Sequence, residues 1–250
     1  IIIDTNHSDF IDVLHDIYQL QYSLLDINNF KLNTNVWVSS YTGKLIDKIE
    51  MIEWTNETVK RIATLNPKIV LEIGSGSGLV LFNIIDDCEY YYATDFSSNV
   101  IDYTNTVVEK FGYINKVESI SCAADKIPYH KLQKPYDTVI INSVVMHFPN
   151  LEYLELVITQ IILNMQTNGH IFIGDVRDYR LLKCFHYSIQ KYRDHHTAKE
   201  DIDYFVSKDK DLVISPEYFI NLQTLIKDIV YVEVMPRFGN TNNEMNNYRY

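Results

Sequence analysis

Between residues 67 and 192 the chain switches repeatedly between two periodicities, and this alternation restricts the fold more than any other feature of the sequence. Short apolar runs rich in β-branched and aromatic residues read as strands over 69–73, 90–94, 117–122, 138–141 and 171–174. Stretches with apolar positions three and four apart read as helices over 79–85, 99–111, 151–165 and 179–192. Such alternation builds a doubly wound, mostly parallel α/β sheet. Right-handed crossovers bring the loops that follow the strands to one edge, where ligands bind.

Helical spacing also marks 8–25 and 48–65, joined by the loop "NTNVWVSSYTG" and closed by Pro67. After the alternation, "RDHHTAKEDIDYFVSKDKD" is charged and poorly periodic and reads as a mobile insertion. A helix over 216–226 and a strand over 230–235 follow it, and the terminal "NNYRY" reads as the start of another strand. With no initiating Met, the chain reads as a piece of something longer. The expected organisation is a helical N-terminal lid segment, residues 1–66, and a core, residues 67–250, with a lid insertion over about 177–227.

Charge and composition exclude several classes. A net charge of −11 with no Lys/Arg run argues against nucleic acid and against an anionic membrane surface. No apolar run is long enough to span a bilayer, and the opening "IIIDTNHSDF" lacks the basic flank and cleavage site of a secretory signal. Cys88, Cys122 and Cys184 are far apart and form no CxxC pair, which fits a reducing, cytoplasmic compartment with neither disulfides nor zinc. His186, His195 and His196 lack metal-ligand spacing, so no metal site is expected.

The first strand runs into "VLEIGSGSGLVL", a glycine turn between strand and helix. Such a turn lets backbone N–H groups approach a ligand, although many are only tight connections. A dinucleotide fingerprint would place its third glycine at position 79, which is Leu79. Glu72, at the end of the strand, would repel a pyrophosphate and attract an ammonium group. S-adenosylmethionine carries an ammonium, a ribose and an adenine but no phosphate. Asp95 ends the second strand, where an acid can accept both ribose hydroxyls, and Phe96 can stack on adenine. Asp125 follows the third strand and can take the adenine amino group. The plainer alternatives are that Asp95, Ser97 or Ser98 caps the next helix and that Asp125 sits in a solvated loop.

"VLEIGSGSGLVLFNI" followed by "YYATDFS" resembles the class I S-adenosylmethionine-dependent methyltransferases. "SSYTGKLIDKIEMIEW", "DTVIINSVVMHFPN", "IFIGDVRDYRLLKCFHYSIQ", "LVISPEYFINLQ" and "NNEMNNYRY" resemble, in the same order, segments of the methyltransferase domains embedded in nonribosomal peptide synthetases and hybrid polyketide assembly lines. The resemblance implies a Rossmann-like sheet of the seven-stranded type, with its last strand truncated. It implies that Glu72, Gly74, Gly76 and Gly78 hold the methionine part of the cofactor, that Asp95 binds the ribose, and that Ala124 and Asp125 border the adenine. It places Asn142 near the sulfonium, and Ser40 and Tyr41 in a segment that closes over the cofactor. The implied partners are a carrier-protein-bound acyl or aminoacyl thioester on a phosphopantetheine arm and the neighbouring assembly-line domains, the excised domain being monomeric by analogy.

The resemblance leaves the acceptor atom open. N-methylating members commonly carry Gln-Tyr where this chain has Met146-His147, whereas carbon-methylating relatives place a histidine at the position of His147 and a carboxylate near Asp175. His147 is the candidate base, with Asp175 to orient its imidazole. The alternative is that His147 packs in its turn and Asp175 pairs with Arg177 or Arg180. N-methylation of an aminoacyl thioester is the leading expectation. C-methylation of an α- or β-keto acyl thioester, a free-standing O- or N-methyltransferase, a non-catalytic docking module and, least favoured, a dehydrogenase are its competitors.

Overall fold

The computed structural model describes residues 25–193 and 199–250. The helix read over 8–25 lies, but for Leu25, outside the described residues, as do His195 and His196. Five strands form: β1 Ile69–Ile73, β2 Tyr90–Asp95, β3 Val117–Ser121, β4 Thr138–Asn142 and β5 His170–Gly174. Their order is β3-β2-β1-β4-β5. β1 runs parallel to both β2 and β4, and β2 runs parallel to β3, with Glu72 opposite Ala93 and Ile140. The order reverses between β1 and β4, which is where an open α/β sheet forms its ligand crevice. This is the mostly parallel sheet expected of a class I methyltransferase.

The helices are α1 Lys48–Ala63, α2 Leu81–Ile84, α3 Ser98–Phe111, α4 Leu151–Asn164, α5 Leu182–Arg193, α6 Lys199–Lys208, α7 Pro216–Leu225 and α8 Glu244–Tyr248. α3 shows how local chemistry sets these bounds. Val100, Ile101, Thr104, Val107 and Val108 make one buried stripe, packed against β2 and β3. Gly112 ends the helix in the left-handed region (φ 81°), its N–H bonded to the Val108 carbonyl.

The chain divides into two compact units. One contains the stretch up to Trp37, Thr58–Ile141 and Leu163–Phe172. Its core is closed by Ile62, Val70, Leu81, Phe82, Ile85, Tyr91, Val107 and Ile140, all fully buried. Each such side chain contributes about 1.5–3 kcal/mol. The other contains Val38–Glu57, Asn142–Ile162 and Ile173–Tyr250. In it, Arg177 grips Asp209 through both amino groups at 2.9 and 2.7 Å and reaches Asp211 at 2.6 Å. His186 Nε2 lies 2.9 Å from the same Asp209 carboxylate.

Two expectations fail. The charged stretch is not without periodic structure: among its described residues α6 forms, Ile202 is buried, and Lys183 pairs with Asp203 at 2.6 Å. Ile202, Phe205 and Val206 fall on one helical face, a short stripe hidden among many charges. The strand read over 230–235 does not form either. Its alternation is real, but among the described residues no strand pairs with it, and Val230 and Tyr231 are exposed. The terminal "NNYRY" divides: Asn246–Tyr248 belong to α8, and the extended Arg249 makes an antiparallel bridge with Arg177, flanked by two backbone hydrogen bonds that Tyr250 exchanges with Val176 at 2.8 and 3.0 Å.

Candidate active site

The glycine turn after β1 takes a backbone path that glycine alone adopts without strain. Gly74, Gly76 and Gly78 all have positive φ (74°, 50° and 77°), a conformation that side chains resist. A Cβ on Gly78 would also overlap the buried ring of Phe82. We expect Gly78→Ala to lose about 2–4 kcal/mol, from the left-handed backbone and from overpacking, measured as a lowered urea midpoint.

Asp95 is tied to this turn. One carboxylate oxygen accepts from Gly76 N at 3.0 Å and the other from Ser97 N at 2.9 Å. Asp95 therefore braces the turn as well as the start of α3, while Ser97, at the N-cap position, makes no side-chain cap bond. Burial raises the Asp95 carboxyl above its ordinary value against the pull of the Ser97, Gly76 and Phe96 N–H groups. Three N–H groups do not exhaust the roughly four lone-pair positions of a carboxylate, so it can accept a further donor.

Glu72 is also buried, and its carboxylate accepts from Tyr91 Oη at 2.8 Å. Burial pushes it up to about 8, against that hydrogen bond. Ser75 Oγ and Ser97 Oγ are buried without a hydrogen-bond partner among the described residues. Phe96 is 38% exposed. Asp125 sits half-buried in the 3-10 turn Ala124–Lys126, paired with Lys126 at 2.9 Å.

Two buried acids, two orphaned hydroxyls and a glycine turn fit S-adenosylmethionine, the cofactor implied by the sequence resemblance. Among the described residues no group of three His, Cys, Asp or Glu is arranged to hold a metal. No helix among them is long and apolar enough to cross a membrane.

The second unit carries the other candidates. Asn142 ends β4 and is 7% exposed. His147 closes the 3-10 turn Val145–His147. Burial, with Arg249 and Arg177 nearby, holds its imidazole below the ordinary value against Asp211, so it is neutral at pH 7. Asp175, just past β5, is fully buried at φ 63°. Its carboxylate receives Ser143 Oγ at 2.7 Å, Arg249 Nη1 at 2.8 Å and Trp54 Nε1 at 3.4 Å, with Arg237 at 3.7 Å. His147 is not among these partners, and neither are Arg177 and Arg180. Arg177 is taken by Asp209 and Asp211, and Arg180 by Asp178 and Glu217. Burial raises the Asp175 carboxyl, but the two guanidiniums, Ser143 and Trp54 outweigh it and hold it below the usual carboxylate range.

The loop before α1 is pinned within this unit. Ser40 N donates to the Glu244 carboxylate at 3.1 and 3.2 Å, and Arg193 donates to the Ser40 and Tyr41 carbonyls. Tyr41 shares a 2.7 Å hydrogen bond with Ser188 and sets its ring edge-on to Phe185 and Tyr192. Burial pushes its phenol up to about 12. Sequence reasoning had no means of finding Ser143, Arg237, Arg249 or Trp54, because only the fold gathers them.

Comparison with known proteins identifies the family and the fold. Residues 66–224 match the family described as "Methyltransferase domain". Chondramide synthase from Chondromyces crocatus is 36% identical over 227 residues, 89% of this chain and 6% of that protein. Enniatin synthase from Fusarium equiseti is 34% identical over 86% of this chain and 7% of that protein. A probable non-canonical nonribosomal peptide synthetase from Salinispora arenicola is 31% identical over 98% of this chain. The chain thus spans only a small fraction of the length of these curated relatives. Magnesium protoporphyrin IX methyltransferase from Synechocystis shares the fold, with a TM-score of 0.53 at 13% identity over 84% of this chain and 87% of that one. The glycine turn braced by Asp95, the parallel sheet that carries it and the family match over most of the chain lead to one assignment: this protein belongs to the methyltransferase domain family.

Proposed function

We propose that the chain is an S-adenosylmethionine-dependent methyltransferase that methylates the amino nitrogen of an aminoacyl thioester held on a carrier protein's phosphopantetheine arm. The observation that carries the cofactor is the buried pair of acids beside the glycine turn, Glu72 in β1 and Asp95 at the end of β2: Glu72 offers its charge to an ammonium, and Asp95 offers its remaining acceptor capacity to the ribose. Phe96 stacks on the adenine, Ala124 borders it, and Asp125 accepts from its amino group. Several relatives are named as nonribosomal peptide synthetases, which supports an acyl chain carried as a thioester.

The bound cofactor supplies an activated methyl group, transferred in line to the acceptor lone pair as the sulfur–carbon bond breaks and its electrons stay on sulfur. The protein supplies position and a dry environment. An α-amino group has a pKa of about 7.7–8.0, so a sizeable fraction is neutral near pH 7. His147, neutral itself, accepts the proton from the fraction that is not. Replacing His147 with Ala is therefore expected to slow amine methylation roughly tenfold at pH 7 and little at pH 9, read from the pH profile of kcat/KM.

The neutral imidazole also suits a second reading, abstraction of a proton from a β-keto carbon. Intact-mass spectrometry of carrier-bound thioesters separates the two when an aminoacyl and a β-ketoacyl thioester are offered side by side. Mass gain on the amine alone supports the proposal. Gain on the carbon alone overturns the acceptor, and gain on neither overturns the function.

A further inference from the structure

The carboxyl end of β4 holds a buried amide with an unused oxygen. Asn142 is 7% exposed, and its Oδ1 has no hydrogen-bond partner among the described residues. An unpaired buried acceptor costs about 1–3 kcal/mol, so its persistence calls for a cause.

Which end of the amide is unused follows from its neighbours. Ser143 Oγ donates to Asp175 Oδ2 at 2.7 Å. Asp175, ionised beside Arg249 and Arg237, can only accept. The single hydroxyl proton of Ser143 is thereby committed, and its oxygen can only accept from other groups. Asn142 Nδ2 faces it at 3.4 Å. Turning the amide over would set Oδ1 against the serine lone pairs. The sequence of contacts from Arg249 through Asp175 and Ser143 to Asn142 therefore fixes the amide's polarity. Ser143 and Asp175 both hold positive φ, 61° and 63°, just past the ends of β4 and β5. Such residues cost about 1–3 kcal/mol each and persist where their surroundings over-determine them.

We propose that Asn142 Oδ1 receives an N–H of the acceptor amine and so selects nitrogen over carbon acceptors. This rests on the N-methyltransferase reading and adds to it the group that discriminates. A neutral primary amine has two N–H bonds and one lone pair. Giving one N–H to Oδ1 satisfies the orphan and turns the lone pair to a defined direction. A β-keto carbon brings carbonyl oxygens, which are acceptors, and these meet Oδ1 with repulsion. Ser143 acts as a positioning residue, keeping the amide from flipping.

The test compares wild type, Asn142→Ala, Asn142→Asp and Ser143→Ala. The probes are N-acetylcysteamine thioesters of the twenty amino acids and acetoacetyl-N-acetylcysteamine. Cofactor Kd by calorimetry and thermal midpoints accompany the rates. Asn142→Ala is expected to lower kcat on the amine about a hundredfold, with cofactor Kd and thermal midpoint near wild type. Asn142→Asp keeps an acceptor oxygen at that position and is expected to retain far more rate than the alanine variant. Ser143→Ala should fall between, with the amine-to-carbon product ratio lowered. If wild type methylates the amine and Asn142→Ala does so equally well, the inference fails while the N-methyltransferase reading stands. A folded Asn142→Asp no faster than the alanine variant also overturns it. If wild type methylates only the β-ketoacyl probe, or neither probe, the reading falls and the inference with it.

Discussion

Glu72→Gln is expected to abolish S-adenosylmethionine binding while making the ligand-free protein more stable at alkaline pH. The folded Glu72 titrates at about 8, because burial outweighs the Tyr91 hydrogen bond, against 4.5 for an unperturbed glutamate. A raised folded pKa favours the folded state fully below pH 4.5. As pH climbs from 4.5 to 8 the unfolded chain ionises while the folded one stays protonated, so this stabilisation is lost. At about 1.4 kcal/mol per pH unit, the loss by pH 9 is on the order of 4–5 kcal/mol. Glutamine still accepts from Tyr91 Oη but leaves amide protons unpaired, a cost of about 1–3 kcal/mol. Thermal unfolding should therefore show the variant equal to or below wild type at pH 5 and several degrees above it at pH 9. Calorimetry should show no cofactor binding to the variant. Wild type should release close to one proton on binding at pH 7, seen as different apparent enthalpies in phosphate and Tris, because an ammonium partner ionises a carboxyl that was protonated. A variant that binds the cofactor normally would remove Glu72 from the site.

This prediction shows what a sequence can and cannot disclose about such a site. Glu72, the three glycines and Asp95 stand within 24 residues, on and just after two strands whose β-branched and aromatic runs mark them plainly. The roles proposed for them rest on local order, because parallel neighbours carry consecutive loops to the same edge. β1 has the bounds read from the sequence, and the other four strands differ by a residue at most at either end. The environment of Asp175 is not local. Its partners Trp54, Ser143, Arg237 and Arg249 span nearly 200 positions and lie in strand ends, a helix and irregular chain. No periodicity links them. The segment over 230–235 errs in the opposite direction: its alternation is a local signal, but a strand requires a partner edge. α6 was hidden because a helix with a three-residue apolar stripe gains its burial from packing against α5, which a one-dimensional pattern does not contain.

Asp175 gives the second large effect, and here the variants separate two roles. Asp175→Ala removes the acceptor of a buried cluster and leaves Arg249 and Arg237, 13% and 8% exposed, without their shared anion. Breaking a buried pair from one side costs about 3–5 kcal/mol. Alanine at φ 63° adds about 1 kcal/mol of backbone strain. Asp175→Asn tolerates that backbone and keeps the shape, so the charge alone is lost, and it should fall between wild type and the alanine variant in urea midpoint. The pH dependence has the opposite sign to that of Glu72. A depressed folded pKa gives stability that is present above the unfolded value of 3.8 and is lost as pH falls through the still lower folded value. The gap between wild type and Asp175→Asn should therefore close in acid and be full at pH 7. If Asp175 served mainly to orient the imidazole of His147, Asp175→Asn would instead fold with a wild-type midpoint and shift the pH profile of the rate. Its contacts with Ser143, Arg249 and Trp54 favour the first outcome. In that case the aspartate acts on catalysis through Ser143, by fixing the amide of Asn142, and stability and nitrogen selectivity should fall together when its charge is removed.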